Sequence, residues 1–431
     1  MDPGERGWLK KFLQHRSQWL RRSESSHTLN QINSDFSSYE YLYHLIQPTG
    51  LMYGYPIRFI EESHPTANEW SEKDKIKVLL AESYISCGLY FRLDESRDIK
   101  DALEKVIDDI RDYYRGNYIL YSSTLKNLFG RRKDTISQIE YVLDRQISIK
   151  YDWRNFWTSF FHNSLLFFDL INFVAWLETT YDQVPKGEAS SLKKQRMDLK
   201  INVLKVIAAA AHSDQKVHQE EKELFNYFLN SAHLPAHKKR QAEAFLTNGI
   251  DISELDLTGV HSWAMKKYFL ELAILTSWAN REISDSEKDF LRKLTDLLGL
   301  SDEELTHSMV SVEQFVMEYW NQVHYLQIKQ NYRIVSERLI IRMRQLARKN
   351  QRLIGKEITE SRELVSLLRK STTQNLTQEE KDKVREQLLD ILKAIPAFAF
   401  LFLPGSFLTL PILLRIIPKS ILYPSSFREN E

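Results

Sequence analysis

The sequence predicts an all-α protein of several helical domains that ends in a C-terminal membrane segment. Three observations predict it. Glycine (13) and proline (11) are scarce for 431 residues, whereas straight-chain helix formers are abundant. Helix-start signals, a hydroxyl residue followed three positions later by an acid, recur ahead of apolar-periodic stretches. The 21 residues between Lys393 and Arg415 carry no charge. One hydrophobic core stops growing at about 250–300 residues, so two or three domains are expected. The predicted divisions are an aromatic-rich helical region over 1–185, a repeat-bearing helical domain over 192–308, long charged helices over 311–390, and an apolar segment with its tail over 391–431.

In chain order, residues 8–22 set Trp8, Leu9, Phe12, Leu13, Trp19 and Leu20 against Lys10, Lys11, Arg16, Arg21 and Arg22. Such a stripe packs on its own domain or lies on an anionic membrane. Ser71 with Asp74 marks a helix start, and a second helix is predicted over 99–114, ending at Gly116. Residues 156–177 lack Lys, Arg and Glu, but Asp169 in their middle costs about 2.5–3.5 kcal/mol on an insertion scale. A central core helix is therefore expected there rather than a membrane span. Residues 181–191 read as a linker.

An internal repeat follows, with residues 203–225 aligning with 269–291 at a separation of 66. Each copy is an apolar helix, a short polar turn and a second helix. The turns pair Asp214 with Asn280, Val217 with Ile283 and Glu221 with Glu287. Two helical hairpins related by a pseudo-twofold are the expected result. Ser284 and Glu287 also spell a capping box, with Glu221 at the matching position of its own helix. From 311 to 368 a long helix or pair of helices is predicted, basic at Arg333, Arg338, Arg342, Arg344, Arg348, Lys349 and Arg352. Those cations form a solvated face or meet anionic lipid headgroups. Thr377 and Glu380 begin the helix that leads into the uncharged run.

That run would rise ~30 Å as a helix, about the hydrocarbon thickness of a bilayer. Pro396, Pro404, Gly405 and Pro411 interrupt it, so a kinked span or a re-entrant hairpin stands beside a straight one. Lys381, Lys383, Arg385 and Lys393 precede the run and Arg415, Lys419 and Arg428 follow it, which favours the N-terminal side inside. The N-terminus has no apolar core ahead of a cleavage site, so the bulk of the chain is expected in the cytoplasm.

Composition narrows the function classes. Lys plus Arg (59) nearly cancels Asp plus Glu (58), and a net charge of +1 gives no basis for a nucleic-acid partner. Cys87 is the single cysteine, set among apolar residues, and is expected to be buried and inert. The sequence holds no phosphate-binding glycine loop, dinucleotide fingerprint, His-Glu-x-x-His or Gly-x-Ser-x-Gly motif. His212, His218, His233 and His237 fall at helix–turn regions where polar surface is expected.

The doubled turn, His212-Ser-Asp214-Gln-Lys-Val217 with Glu221 and Ala279-Asn280-Arg-Glu-Ile283 with Glu287, resembles the TerB-like (tellurite-resistance B) domain. The resemblance covers about a quarter of the chain and implies a divalent cation held by Asp214, Glu221 and Glu287. Gln215 and Arg281 stand where that family has glycine, and Asn280 where it has aspartate. From Leu376 onward, the helix start, the order of Pro396, Phe398, Pro404, Leu410, Pro411 and Pro418, and the closing Tyr423-Pro-Ser-Ser-Phe427 resemble the Letm family of membrane proteins. The two together are similar to Letm-related, biofilm-associated bacterial proteins. This resemblance implies a bacterial inner membrane and links to cation/proton exchange, although Ser406 and Thr409 are the only polar side chains from 394 to 414.

The expected function is thus a non-enzymatic, membrane-anchored helical adaptor with a lipid bilayer and an unidentified protein as partners. An oligomeric cation/proton exchanger is the alternative, and a soluble protein with a buried apolar tail is the third reading.

Overall fold

The structure, a computed structural model, describes residues 1–22, 36–54, 58–60, 64–117, 134–147, 166–181, 189–214, 216–232, 234–257, 259–278, 283–320, 332–395, 398 and 408–423. Among these residues there are eighteen α-helices, short 3₁₀ turns and no strand, so the protein is all-α. The chain forms two compact units, Met1–Leu300 and Ser301–Glu431.

The first unit begins with α1 (Trp8–Arg22), α2 (Ser38–Ile46), α3 (Glu72–Arg92), α4 (Ile99–Asn117), α5 (Thr135–Gln146) and α6 (Leu166–Tyr181). α1 buries Trp8, Leu9, Phe12 and Leu20 as it packs on α4 and α5, so its stripe serves its own domain. Glu140 of α5 accepts from the backbone N–H groups of Gly7 (3.0 Å) and Leu9 (2.8 Å), satisfying donors that an isolated helix start leaves open. α3 starts where Ser71 accepts from the Asp74 N–H and is buried along most of its length by α2, α4, α5 and α6. Gly88 permits the closest approach: a Cβ there would sit 2.6 Å from Cγ1 of Val106 on α4. Cys87 is buried beside it, and burial pushes its thiol pKa far up. The described part of the 156–177 stretch is the core helix α6. Its Phe173 ring lies 5.0 Å from Tyr84 and 5.2 Å from Tyr113, in edge-on contacts.

The unit continues with α7 (Ala189–Ala211), α8 (Gln219–Ser231), α9 (Ala236–Asn248), α10 (Trp263–Ser277) and α11 (Asp285–Leu297). Helices α7 and α10 pack on each other. Each also packs on its own hairpin partner and on the partner of the other, α7 on α8 and α11, α10 on α11 and α8. This reciprocal pairing is the arrangement that the repeat predicts, because each hairpin's apolar face is too small to bury itself.

The second unit contains α12 (Asp302–Trp320), α13 (Tyr332–Lys349), α14 (Gln351–Glu360), α15 (Arg362–Thr373), α16 (Gln378–Ala394), α17 (Leu410–Ile416) and α18 (Lys419–Leu422). The stretch expected as one long helix or a pair over 311–368 is instead divided among α12 to α15. Asn350 leaves helical geometry with its amide bonded to Leu346 O, and Ser361 turns extended to cap α15. α16 begins with the full Thr377–Glu380 capping box.

A straight span across 394–414 is corrected by the same unit. α16 stops at Ala394, Ile395 is extended (φ −89°, ψ 124°), and the residue before a proline is driven out of the α region. Thr409 is extended again before α17, a helix of only 7 residues with Pro411 in its first turn. α17 packs on α13 and α16, burying Leu413 and Ile416, and α18 packs on α14. No helix among the described residues is long and apolar enough to cross a membrane. Pro396, Pro404 and Gly405 lie outside the described residues.

Candidate functional site

The predicted cation-binding residues lie at the turns of the two hairpins. Ser284 caps α11: its hydroxyl accepts from the Glu287 N–H at 3.2 Å, and Glu287 Oε2 accepts from the Ser284 N–H at 2.6 Å. In the first copy Glu221 Oε2 accepts from the His218 N–H at 2.8 Å. Both glutamates are buried, at 1% and 0% exposure, although the same position in an ordinary first turn faces water. Both lie in the first turns of α8 and α11, which pack on α7 and α10.

Asp214 joins this junction. Its Oδ1 accepts from the Lys216 N–H at 3.0 Å and its Oδ2 lies 3.7 Å from His218 Nε2. Burial raises the Glu287 pKa, hydrogen bonds with Ser284 oppose the rise, nearby Asp214 adds to it and His218 offsets part. Glu287 Oε1 is buried without a hydrogen-bond partner. The structure thus brings Asp214, His218 and Glu287 within electrostatic reach and spends one oxygen of each glutamate on a cap. Glu287 Oε1 and Asp214 are the oxygens left for a cation. No group of three or more His, Cys, Asp and Glu side chains among the described residues has an arrangement that would hold a metal ion. Asn280 and Arg281 lie outside the described residues, as does His233, and His212 Nε2 pairs with Leu246 O at 2.8 Å.

Two polar clusters escaped sequence reasoning. Glu271, fully buried in α10, accepts hydrogen bonds from the Tyr43 hydroxyl at one carboxylate oxygen and the Tyr53 hydroxyl at the other. One turn earlier, the buried Lys267 ammonium lies 5.3 Å from the Tyr43 ring centre and 5.7 Å from that of Trp263. Burial and the Glu271 charge together hold the Tyr53 hydroxyl pKa well above its ordinary value. The available signal was a Lys and a Glu four apart in an otherwise apolar helix. The second cluster pairs Arg16 with Glu82 at 3.6 Å, both almost fully buried, beside the rings of Trp19, Phe59, Trp70, His15 and His64. Glu82 also accepts from the Ile60 N–H at 3.0 Å. Both clusters tie distant segments of the chain together.

No family model, no curated protein and no solved structure matches this chain.

Proposed function

We propose that the chain is a non-enzymatic helical adaptor. In this reading the C-terminal uncharged segment attaches it to a membrane, the bacterial inner membrane by the Letm-like resemblance. The paired hairpins, TerB-like by the second resemblance, offer a surface to a protein partner. The observation that carries the reading is the run of 21 residues without charge, together with the surface of its last turn. On α17 only Leu413 and Ile416 are buried, which leaves Leu410, Pro411, Ile412 and Leu414 partly or fully exposed. Apolar surface of this kind, next to exposed Arg415 and Lys419, suits the boundary between headgroups and acyl chains. The helix breaks on either side of residues 396–407 suit a kinked or re-entrant segment better than a straight span.

The adaptor reading is supported by a sequence without a recognised catalytic motif and by the partnering of Glu271 with Tyr43 and Tyr53 and of Arg16 with Glu82 inside the fold. A divalent cation at Asp214 and Glu287 would stiffen the junction of the hairpins and so tune the partner surface. Flotation of the full-length chain with liposomes tests the membrane reading. The protein is expected to rise with the vesicles and to resist alkaline extraction; a chain that stays at the bottom of the gradient overturns it. Cation-dependent proton flux in proteoliposomes would replace the adaptor by an oligomeric exchanger.

A further inference from the structure

The basic run on α13 divides by role. Arg342 turns inward, its Nε 3.2 Å from the buried carboxylate of Glu313, and Arg338 is close enough to act on the same group. Arg344 and Arg348 turn instead to a cavity of about 590 Å³ between α13 and residues 414–420. Small-molecule sites commonly occupy ~300–1,000 Å³, so the space fits a ligand rather than a few waters. Lys419 and Ser420 line it from the side of residues 414–420, and Gln351 also lines it.

The electrostatics of this cavity are one-sided. Among the described residues no acidic side chain lines it. Arg415 is neutralised by a two-pronged ion pair with Glu337, and its carbonyl oxygen accepts from Arg344 Nε at 2.6 Å. That bond holds the Arg344 guanidinium at the rim. The side chains of Arg348 and Lys419, both exposed, make no ion pair or hydrogen bond among the described residues. Three cations thus face one space without compensation, with hydroxyl and amide donors beside them. Leu414 and Ile417 form an apolar wall along one flank.

We propose that this cavity is a phosphate-binding site, taking a phosphate mono- or diester anion through Arg344, Arg348 and Lys419. Arginine forks match phosphate oxygens in pairs, and the lysine adds a compact charge from the other wall. Two sources carry this chemistry: the headgroup of an anionic phospholipid, whose glyceryl end would lie along Leu414 and Ile417, and a soluble phosphate ester. Leu414, Arg415 and Lys419 belong both to this site and to the membrane boundary described above, so the lipid source rests on the membrane reading, whereas binding of a soluble phosphate ester does not.

The experiment uses the full-length chain in two arms. One measures co-sedimentation with vesicles of phosphatidylcholine alone and with added phosphatidylglycerol or phosphatidate. The other titrates inorganic phosphate and glycerol 3-phosphate calorimetrically without lipid. The paired variant Arg348→Gln, Lys419→Gln removes two unpartnered surface cations; Lys349→Gln, Arg352→Gln removes the same charge outside the cavity. Binding that weakens ~30-fold in the first variant and stays within about twofold in the second supports the site, in whichever arm it is seen. The arm identifies the source. Equal loss in both variants, or no binding to phosphate, glycerol 3-phosphate or anionic vesicles beyond that seen with phosphatidylcholine vesicles, overturns the proposal. Binding to phosphatidylcholine alone would at the same time leave the membrane reading intact.

Discussion

Replacing Glu313 by glutamine should remove a pH dependence from the second unit. Glu313 has no exposed surface, and neither carboxylate oxygen receives a hydrogen bond of good geometry, although Arg342 lies 3.2 Å away. Burial therefore outweighs the attraction of Arg342 and Arg338, and its pKa is pushed up from 4.5 to about 7. The folded state then binds this proton more tightly than the unfolded chain. Its contribution is fully present below the unfolded value and is lost as pH rises through the folded one, so stability falls between pH 4.5 and about 7. At 1.36 kcal/mol per unit the loss is roughly 3 kcal/mol. Glutamine cannot titrate. Its absolute effect includes the broken ion pair with Arg342, but the change of the variant-minus-parent difference with pH reports on Glu313 alone. Hydrogen exchange of peptides covering α12 and α13, corrected for intrinsic rates at pH 5, 6, 7 and 8, measures that difference. It should move in favour of Glu313→Gln by roughly 2–3 kcal/mol over this range. A constant difference would show that the carboxylate is solvated or hydrogen-bonded in solution, and would refute the argument.

Other expectations concern the first unit. Gly88→Ala should destabilise by ~1–3 kcal/mol in urea denaturation, because the new methyl group meets Val106, and Val106→Ala in the same chain should restore most of the loss. Without that rescue, the close approach of α3 and α4 is not what requires glycine. Tyr53→Phe removes one of the hydroxyls that donate to buried Glu271 and should cost ~1–3 kcal/mol, read as a lowered urea midpoint; a change below about 0.5 kcal/mol would mean that water reaches the carboxylate. Vesicle flotation and phosphate titration, set out above, complete the expectations.

Much of the local structure was legible in the residues. The caps at Ser71, Ser284 and Thr377 form as their spacing requires, because a cap needs only one hydroxyl and the N–H three residues on. The burial of Cys87, the inward stripe of α1 and the core role of α6 follow from apolar periodicity, which acts over a few turns. The reciprocal hairpins followed from a repeat. The breaks at Asn350 and Ser361 were harder to see, since neither residue is a strong helix breaker and the surrounding contacts decide where a marginal helix turns.

The sequence by itself determined that this protein is helical, where its strongest caps lie, and that its charge-free run meets prolines that interrupt a straight helix. Short-range sterics and local hydrogen bonds are enough for that. Only the tertiary structure decided which cations remain free. Arg342 and Arg344 are two residues apart on one helix, yet one is committed to buried Glu313 on α12 and the other to the rim of a cavity opposite Lys419. The same holds for Glu271, whose partners Tyr43 and Tyr53 precede it by 228 and 218 residues. Coulomb forces and desolvation depend on distance in space, and that distance is set only when the helices pack.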